Sequence, residues 1–326
     1  MSKIVVIGSL NMDVVAIAPR IPVTGETIIG SKYFTEPGGK GANQAYAAAK
    51  LGGSVAMLGR VGDDEFGRAM RNNLVEVGCD AGMLETVPGT SGVALIFVAE
   101  NGQNSIIVVP GANNELRPCD VEAQSSRISA GDIVLLQLEN PVETVLAGAR
   151  AARQQGARVI LDPAPAPGVP LPDELFSLVD LLTPNETEAA ILAGLPPGRI
   201  TPERAAIIAR DLQQMGAPAV IMKLGEQGCL LLDEGAQTTL VRAPEVNAVD
   251  TTAAGDVFNG ALAVALSEGA ELLDACRFAV NAAALSVTRL GTQIATPSRQ
   301  EVEEFAASRE AQQRETSFGG AEPGAA

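Results

Sequence analysis

The sequence predicts an α/β protein: a doubly wound, mainly parallel sheet flanked by helices, with a small inserted β-sheet. From residue 54 onward, short apolar runs alternate with helix-length amphipathic segments, the order expected of parallel strands joined by helical crossovers. Residues 13–37 and 91–110 interrupt this order with strand-like alternation. Of the 326 residues, 46% are hydrophobic and only 3% aromatic, so aliphatic side chains must build the core, as suits buried strands and closely packed helices.

The alternation can be followed along the chain. A strand is predicted at 54–62, followed by an amphipathic helix at 64–78 that ends at Gly78. A second unit contains a helix that starts at Pro141 and ends at Gly156. The remaining predicted strands are 132–138, 157–162, 179–184 and 219–225, and the remaining helices are 185–194 and 202–216.

The two interrupting segments have turn signals at 22–25 and at Asn101-Gly102. We expect them to form a small antiparallel sheet that acts as a lid over a ligand site. Its exposed apolar face would suit a homodimer interface. The predicted organisation is an α/β core at 1–12, 38–90 and 111–312, a lid at 13–37 and 91–110, and a disordered tail at 313–326.

Composition limits the classes of partner. Acidic residues outnumber basic ones by 39 to 23, which gives a formal net charge of −16. A field of that sign repels nucleic acid and anionic lipid, so we expect neither a nucleic-acid partner nor a membrane. No apolar run is long enough for a bilayer, and the apolar residues 4–7 are too few for a signal peptide. A soluble cytoplasmic protein is therefore predicted.

Histidine is absent, which excludes Ser-His-Asp and Cys-His catalysis and the common zinc sites. Proton transfer then requires a carboxylate, Lys, Cys or Tyr. The cysteines at 79, 119, 229 and 276 form no C-x-x-C pair. We interpret them as buried or incidental thiols in a reducing compartment.

The strongest local signal is AVDTTAAGDVFNGALAVAL at 248–266. Ala253, Ala254 and Gly255 precede Asp256 at a predicted helix start, where converging backbone N–H groups and the helix dipole favour an anion. A phosphoryl group in transfer needs such a cradle, and Asp256 beside it is suited to accept a proton. Alternatively, Asp256 is an N-terminal helix cap, although a cap does not need the small residues. The residues alone leave both interpretations open.

Two segments nearer the start carry weaker signals. In EPGGKGANQAYAAAKLGG at 36–53, glycines surround Lys40 ahead of an Ala-rich helix. The spacing does not fit a Walker A loop, and a bare GGKG indicates a hinge. Asn11 and Asp13 interrupt the first apolar strand and face the same side. A turn is the favoured interpretation of that pair, with hydrogen bonding to a polyol as the alternative.

Two later segments also lie at predicted strand ends. Asn185 and Glu188, in PNETEAA, have the spacing of a capping box, although ligand groups are common at this position in α/β sheets. KLGEQG at 223–228 is a glycine-rich turn that either approaches a nucleotide or closes a hairpin.

Taken together, these segments resemble the carbohydrate kinase family that includes ribokinase, fructokinase and adenosine kinase. The match runs from residue 4 to 297 and comprises GSLNMD, GGKGANQA, TPNETEA, KLGEQG and VDTTAAGDVFNGAL. The last motif is specific to the family, and the first two favour the ribokinase type. The resemblance implies ATP-dependent phosphorylation of D-ribose to ribose 5-phosphate. A kinase for deoxyribose, fructose or a nucleoside is the alternative within the family, and a non-catalytic sugar-binding protein is the alternative outside it.

The resemblance also implies roles for individual residues. Asp256 is the implied catalytic base, with Ala253, Ala254 and Gly255 as the anion hole. Besides Asp256, the implied sugar contacts are Asn11, Asp13, Gly39, Lys40, Asn43 and Glu139. The implied ATP site comprises Asn185, Lys223, Leu224, Gly225, Glu226, Gln227, Gly228, Gly255 and Asn281, with Glu188 holding Mg²⁺ through water.

A monovalent-cation site with K⁺ as the activator is implied at Asp250, Thr252, Ser286, Arg289, Gly291 and Ala295. The sequence departs from the family pattern at three places. Ala295 stands where a hydroxyl residue often closes the cation site. Val280 stands where Asn or His is often found, with Asn281 one residue on. Lys223 replaces a Thr seen in some relatives.

Overall fold

Alternating strands and helices dominate the fold, as the sequence predicts. A computed structural model describes residues 2–166 and 168–318. The strands within them are β1 (Ile4–Ile7), β2 (Asn11–Ala18), β3 (Lys32–Gly38), β4 (Val55–Gly62), β5 (Asp80–Val87), β6 (Gly92–Ala99), β7 (Asn104–Val109), β8 (Ile133–Leu136), β9 (Arg158–Leu161), β10 (Leu181–Leu182), β11 (Ala219–Lys223), β12 (Cys229–Leu232) and β13 (Thr238–Val241). The α-helices are α1 (Lys40–Lys50), α2 (Glu65–Glu76), α3 (Pro118–Gln124), α4 (Val142–Gln154), α5 (Asp173–Leu178), α6 (Glu186–Leu192), α7 (Pro202–Gln214), α8 (Ala254–Ser267), α9 (Leu272–Ser286) and α10 (Arg299–Phe318).

The large sheet has nine strands in the order β13-β12-β11-β10-β9-β8-β1-β4-β5. The strands from β11 to β5 pair in parallel, whereas β12 and β13 add an antiparallel meander at one edge. The prediction of a mainly parallel sheet is therefore confirmed. The strand order reverses direction beside β1, which is where α/β proteins of this type bind ligands.

The small sheet has the order β3-β2-β6-β7 and is built from the two segments that interrupt the helix–strand alternation. β2 pairs antiparallel with β3, and β6 with β7. The central pair, β2 and β6, is parallel, so the expectation of a fully antiparallel sheet is wrong. A long stretch containing α1, β4, α2 and β5 separates β2 from β6, and such a crossover permits parallel pairing where a tight hairpin does not.

Apolar side chains cover both faces of the large sheet. On one face, α1, α2, α8 and α9 pack over a cluster of aliphatic residues. On the other face, α4, α5, α6 and α7 pack over a second cluster. The thiols of Cys79, Cys229 and Cys276 are buried in these cores, Cys119 is exposed, and all four are free.

The contact between α1 and α8 depends on a glycine. A Cβ atom on Gly260 would lie 2.8 Å from the Cβ of Ala47 and 2.9 Å from the backbone oxygen of Gln44. Since such separations are too short for a side chain, only glycine lets the two helices approach this closely. This approach brings the first turns of α1 and α8 together.

The last helix of the described residues is α10, which extends to Phe318. The predicted disordered tail, residues 313–326, thus begins inside this helix, and residues 319–326 lie outside the described part of the chain. Among the described residues, no helix combines the length and the apolar character needed to cross a membrane.

Candidate active site

The candidate site lies at the carboxyl edge of the parallel strands. Glu139 follows β8, Asp162 follows β9, and Lys223 is the last residue of β11. The N-terminal turn of α8 carries Asp256 and contacts the first turn of α1 through this residue. The topology therefore gathers side chains that are far apart in the sequence.

Asp256 is 6% exposed and accepts hydrogen bonds from Asn43 Nδ2 and Gln44 Nε2, both at 3.1 Å. Each of these amides is held in the donating orientation. Gln293 donates to the Asn43 oxygen at 3.0 Å, and Gln137 donates to the Gln44 oxygen at 2.7 Å. Burial raises the pKa of Asp256, while the charge of a neighbouring lysine and the two amides oppose this.

Asp256 does not cap α8. The N-cap residue is Ala253, and no side chain caps this helix. Ala253 adopts a left-handed conformation with φ 59°, which costs a non-glycine residue roughly 1–2 kcal/mol. The geometry therefore favours the interpretation of residues 253–255 as a turn shaped for an anion.

A lysine lies against this turn. The Lys223 ammonium would be 3.4 Å from a Cβ atom placed on Gly255, so a positive charge borders the helix N-terminus. Lys223 also forms an ion pair of 2.8 Å with Asp162. The helix dipole and the ammonium together favour a negatively charged group at this point.

Glu139 joins the sugar-contact candidates to one another. Its Oε2 atom accepts from Ser9 Oγ at 2.6 Å, Asn11 Nδ2 at 3.3 Å and the Lys40 backbone N–H at 3.0 Å. The Oε1 atom has no hydrogen-bond partner among the described residues. Asn113 donates to the Asn11 oxygen at 2.8 Å. One carboxylate thus fixes the start of β2 against the start of α1 and keeps an oxygen free for a ligand.

Asp13 lies in β2 and is 7% exposed, yet its carboxylate makes no hydrogen bond within the described residues. Burial and the nearby carboxylates of Glu36, Glu139 and Asp256 raise its pKa to about 7. A buried carboxylate without partners is costly unless a ligand completes its hydrogen bonds. This arrangement supports the ligand-binding interpretation of the Asn11–Asp13 pair.

The GGKG segment is packed against β2. Gly39 has φ 87°, and a Cβ atom there would lie 2.6 Å from the Asn11 backbone nitrogen. Burial by itself lowers the pKa of Lys40, but the carboxylates of Asp256, Asp162, Glu139 and Glu188 outweigh it and raise this pKa. Lys40 is therefore charged and directed into the acidic cluster.

Asn185 and Glu188 satisfy each other in a capping box. The Asn185 side chain accepts from the Glu188 N–H at 2.8 Å, and the Glu188 carboxylate accepts from the Asn185 N–H at 2.7 Å and Nδ2 at 2.9 Å. Burial raises the pKa of Glu188, and Lys223 opposes that rise. The backbones of Asn185 and Lys223 form an isolated parallel β-bridge. Asn185 and Glu188 therefore border the end of the site at which Lys223 lies.

The remaining ATP candidates differ in where their side chains lie. Residues Gly225–Gln227 form a tight turn, and Leu224 is buried in the core beneath it. Glu226 pairs with Arg199 on the surface. The Asn281 oxygen accepts from Arg309 of α10 at 2.9 Å, and Val280 is buried. The turn therefore offers its backbone, and the Asn281 oxygen is engaged by α10.

The cation candidates are joined by Asp250. Its carboxylate accepts from the Thr252 N–H at 2.9 Å and the Gly291 N–H at 3.1 Å. The Ser286 hydroxyl donates to the Ala283 carbonyl, and Arg289 pairs with Glu301. Asp250 thus holds residues 250–252 beside residue 291, whereas the Ser286 and Arg289 side chains are engaged elsewhere. Ala295 is buried.

Several residues of the site were not singled out from the sequence. They are polar side chains whose partners come from distant elements, namely Ser9, Gln44, Asn113, Gln137, Asp162 and Gln293. The predicted strand at 157–162 ends on Asp162, and a carboxylate at the end of a parallel strand was the one available signal.

Comparison with known proteins gives the same picture as the geometry. The profile of the pfkB family carbohydrate kinases matches residues 1–299. A ribokinase of Bacillus subtilis is 44% identical over 306 residues, covering 94% of this chain and 99% of the relative. A deoxyribokinase of Salmonella typhi is 40% identical over 303 residues, covering 93% and 98%. The structure of Arabidopsis thaliana ribokinase complexed with ribose and ATP is 35% identical, with a TM-score of 0.85 over 94% of this chain and 99% of that chain.

Proposed function

The chain belongs to the pfkB family of carbohydrate kinases, and from this membership we propose that it transfers the γ-phosphoryl group of ATP to D-ribose, giving ribose 5-phosphate. The observation that carries the proposal is the position of Asp256, whose buried carboxylate is held by Asn43 and Gln44 at the N-terminus of α8. The ribokinases of similar sequence support ribose as the acceptor.

Asp256 acts as the general base. The primary hydroxyl of the sugar has a pKa far above neutrality, so its proton leaves only as the bond to phosphorus forms. Burial raises the pKa of Asp256, which increases its basicity at neutral pH. Lys40 and the two amide donors favour the ionised form, which is the form that accepts the proton.

The transferring phosphoryl group is stabilised at residues 253–255. The N-terminus of α8 supplies backbone N–H groups and the positive end of the helix dipole. Lys223, which borders Gly255, and Lys40, whose charge acts on Asp256, add positive charge. Such local features are needed because the net charge of −16 opposes the approach of ATP.

Mg²⁺ is proposed to enter with ATP. Within residues 2–166 and 168–318, no group of three or more Asp, Glu, Cys or His side chains is placed to hold a metal. Glu188 would hold the ion through water, and phosphate oxygens would supply further ligands. The ion, when bound, neutralises charge on the phosphates during transfer.

K⁺ is proposed to activate the enzyme weakly. The carboxylate of Asp250 brings residues 250–252 and 291 together, and oxygen atoms of such loops are suitable ligands for a hard cation. Residues 250–252 lead directly into the anion turn, so a cation there would stabilise it. Ala295 contributes no hydroxyl, which removes one oxygen from the set.

Ribose is favoured over sugars with fewer hydroxyl groups because the site contains carboxylate oxygens that have no hydrogen-bond donor. The Asp13 carboxylate and Glu139 Oε1 make no hydrogen bond within the described residues, and a sugar lacking hydroxyls would leave them unpaired. A kinase for deoxyribose, fructose or a nucleoside is the alternative, and the similarity to a deoxyribokinase makes deoxyribose the first of these to test.

The small sheet, which we propose acts as a lid, also provides a surface for a homodimer. All six residues of β7 are exposed, including Ile106 at 52% and Ile107 at 55%. The exposed apolar side chains on a face of this sheet offer a surface on which a second copy can pack. A cytoplasmic location is proposed on the free state of all four cysteines.

A coupled ADP-release assay tests the function. Ribose, deoxyribose, fructose and a nucleoside are compared with Mg-ATP, with and without K⁺, and ribose is expected to give the highest kcat/KM. Asp132→Asn serves as a control, since among the described residues this buried carboxylate accepts only from the backbone N–H groups of Lys3 and Ser129, at the opposite end of the sheet. No ADP formation with any of these sugars would favour a non-catalytic sugar-binding protein.

A further inference from the structure

An unbroken series of side-chain contacts joins the base to the phosphate cradle. Gln44 Nε2 donates to Asp256 Oδ1 at 3.1 Å and to Asp162 Oδ2 at 3.0 Å. Asp162 Oδ1 then pairs with the Lys223 ammonium at 2.8 Å. The four residues come from α1, α8, the end of β9 and β11.

The orientation of Gln44 is determined by its neighbour. Its oxygen accepts from Gln137 Nε2 at 2.7 Å, so its two N–H groups must point to the two carboxylates. A neutral amide thus separates Asp162 from Asp256, and both carboxylates are kept as hydrogen-bond acceptors.

The two ends of the series lie where the two reacting groups meet. Asp256 is the residue that takes the proton of the sugar hydroxyl. The ammonium of Lys223 borders Gly255, where the phosphoryl oxygens develop charge. Asp162 is 2% exposed and contacts both Gln44, which holds the base, and Lys223, the cation at the phosphate.

We propose that Asp162 is a positioning residue for phosphoryl transfer, which holds the Lys223 ammonium at the cradle and, through Gln44, the Asp256 carboxylate at the sugar hydroxyl. The inference rests on the proposed function. Lys223 shares its N–H groups between Asp162 and a phosphate oxygen, and preorganised charge of this kind acts without reorganisation during the reaction. Residues that hold reacting groups in place affect kcat more than ground-state binding.

The charge of Asp162 also reaches the base. The charged groups near Asp256 are Lys40 from α1, Asp13 from β2, Asp162 after β9 and Lys223 from β11. The negative charge of Asp162 favours protonation of Asp256. Removal of that charge therefore lowers the pKa of Asp256, so the acid limb of the pH profile of kcat/KM moves to lower pH.

The experiment compares Asp162→Asn, Lys223→Gln and the double variant in the full-length enzyme. Asp162→Asn keeps the shape and the hydrogen bond to Gln44 but removes the charge. We expect kcat to fall roughly 10- to 100-fold, the KM for ribose to change little, and the acid limb to move to lower pH. Since the two residues act as a unit, the double variant is expected to lose no more than the worse single variant.

Asp132→Asn is the matched control, because it also removes a buried carboxylate but at the opposite end of β8. If the Asp162–Lys223 ion pair were only structural, Asp162→Asn would lower the thermal midpoint without moving the pH profile, which is the result expected of Asp132→Asn. Wild-type kcat and pH profile in Asp162→Asn, or additive losses in the double variant, would overturn the proposal. If Asp162→Asn does not fold, an unchanged kcat in Lys223→Gln overturns it equally. Absence of sugar phosphorylation by the wild type would instead refute the proposed function.

Discussion

Asn43 Nδ2 lies 3.1 Å from Asp256 Oδ2, although 213 residues separate the two in the chain. The contact exists because Gly260 lets α8 approach α1 until their first turns meet. One helix start then presents the base and the other presents its donors. Helix packing, rather than any local motif, therefore sets the orientation of the proposed catalytic carboxylate.

Replacement of Asp256 by Asn is expected to keep the shape of the side chain while removing the proton acceptor, although only one of its two terminal atoms can still accept from Asn43 or Gln44. Loss of a general base lowers the rate by about 10²–10⁴. We expect kcat to fall by this amount while ribose affinity, measured by calorimetry without ATP, changes little. Turnover at the wild-type rate would exclude Asp256 as the base.

Gly39→Ala tests the close approach of the GGKG segment to β2. The residue has φ 87° and no space for a Cβ atom beside Asn11. The left-handed conformation alone costs alanine about 1–2 kcal/mol, and relief of the clash displaces Lys40. We expect a lower thermal midpoint and a raised KM for ribose. Gly52→Ala is the control, because its φ is 92° but nothing lies near its Cβ position, so it should lose stability only.

Asp13 is expected to make the ligand-free protein less stable as pH rises. Burial raises the pKa of Asp13 to about 7 from an ordinary value of 3.8, so between these two pH values the folded state binds more protons than the unfolded state. This contribution to stability is present at low pH and is lost as pH rises through about 7. Asp13→Asn should therefore raise the thermal midpoint at pH 8, with a gain that shrinks toward pH 4.

The same Asp13→Asn variant should bind ribose more weakly, because the carboxylate that accepts from the sugar is replaced. Calorimetric titration with ribose at pH 8 measures this loss. A gain in stability together with unchanged ribose affinity would mean that Asp13 does not contact the sugar.

The parallel core was predictable because each of its elements carries its own signal. The predicted helix that ends at Gly78 and the one that starts at Pro141 each combine apolar periodicity with a start or stop residue in one short stretch of sequence. β5 lacked such a signal, since Met83 and Leu84 are its only fully buried residues. The hairpin alternative for residues 223–228 agrees with the antiparallel pairing of β11 and β12 across this turn, whereas β13 was not anticipated.

The site was predictable only in part, because its residues differ in what identifies them. Asp256 and the GGKG segment lie in motifs and were found from the sequence. Gln44 and Asp162 owe their roles to contacts across 212 and 118 residues, and no local pattern encodes such a contact. The parallel pairing of β2 with β6 was missed for the same reason, since it depends on the path of the intervening chain.

The lid is expected to form the dimer contact through one face only. Ile106 and Ile107 are adjacent in β7 and similarly exposed, and their side chains point to opposite faces of the small sheet. We expect one of Ile106→Lys and Ile107→Lys to produce a monomer in sedimentation analysis and the other to remain a dimer. Each variant is thus the control for the other. Dimers in both cases would rule out this interface.

Ala295→Ser is expected to strengthen activation by K⁺. Ala295 is buried in the segment that Asp250 anchors through Gly291, so a hydroxyl there adds an oxygen ligand when the ion is bound. Without K⁺ the same hydroxyl is buried and unpaired, which destabilises the fold. The variant should therefore show a lower thermal midpoint than the wild type in Na⁺ and a larger gain on addition of K⁺.

The ratio of kcat in K⁺ to kcat in Na⁺ should rise in parallel with that gain. Ala270→Ser provides the comparison, because residue 270 lies between α8 and α9 at the far end of α8 from the anion turn, and its response to K⁺ should match the wild type. An Ala295→Ser variant whose thermal midpoint and kcat respond to K⁺ as the wild type does would place the cation elsewhere. A response confined to Ala295→Ser would tie the ion to the loop that leads into residues 253–255, and so to the phosphate cradle.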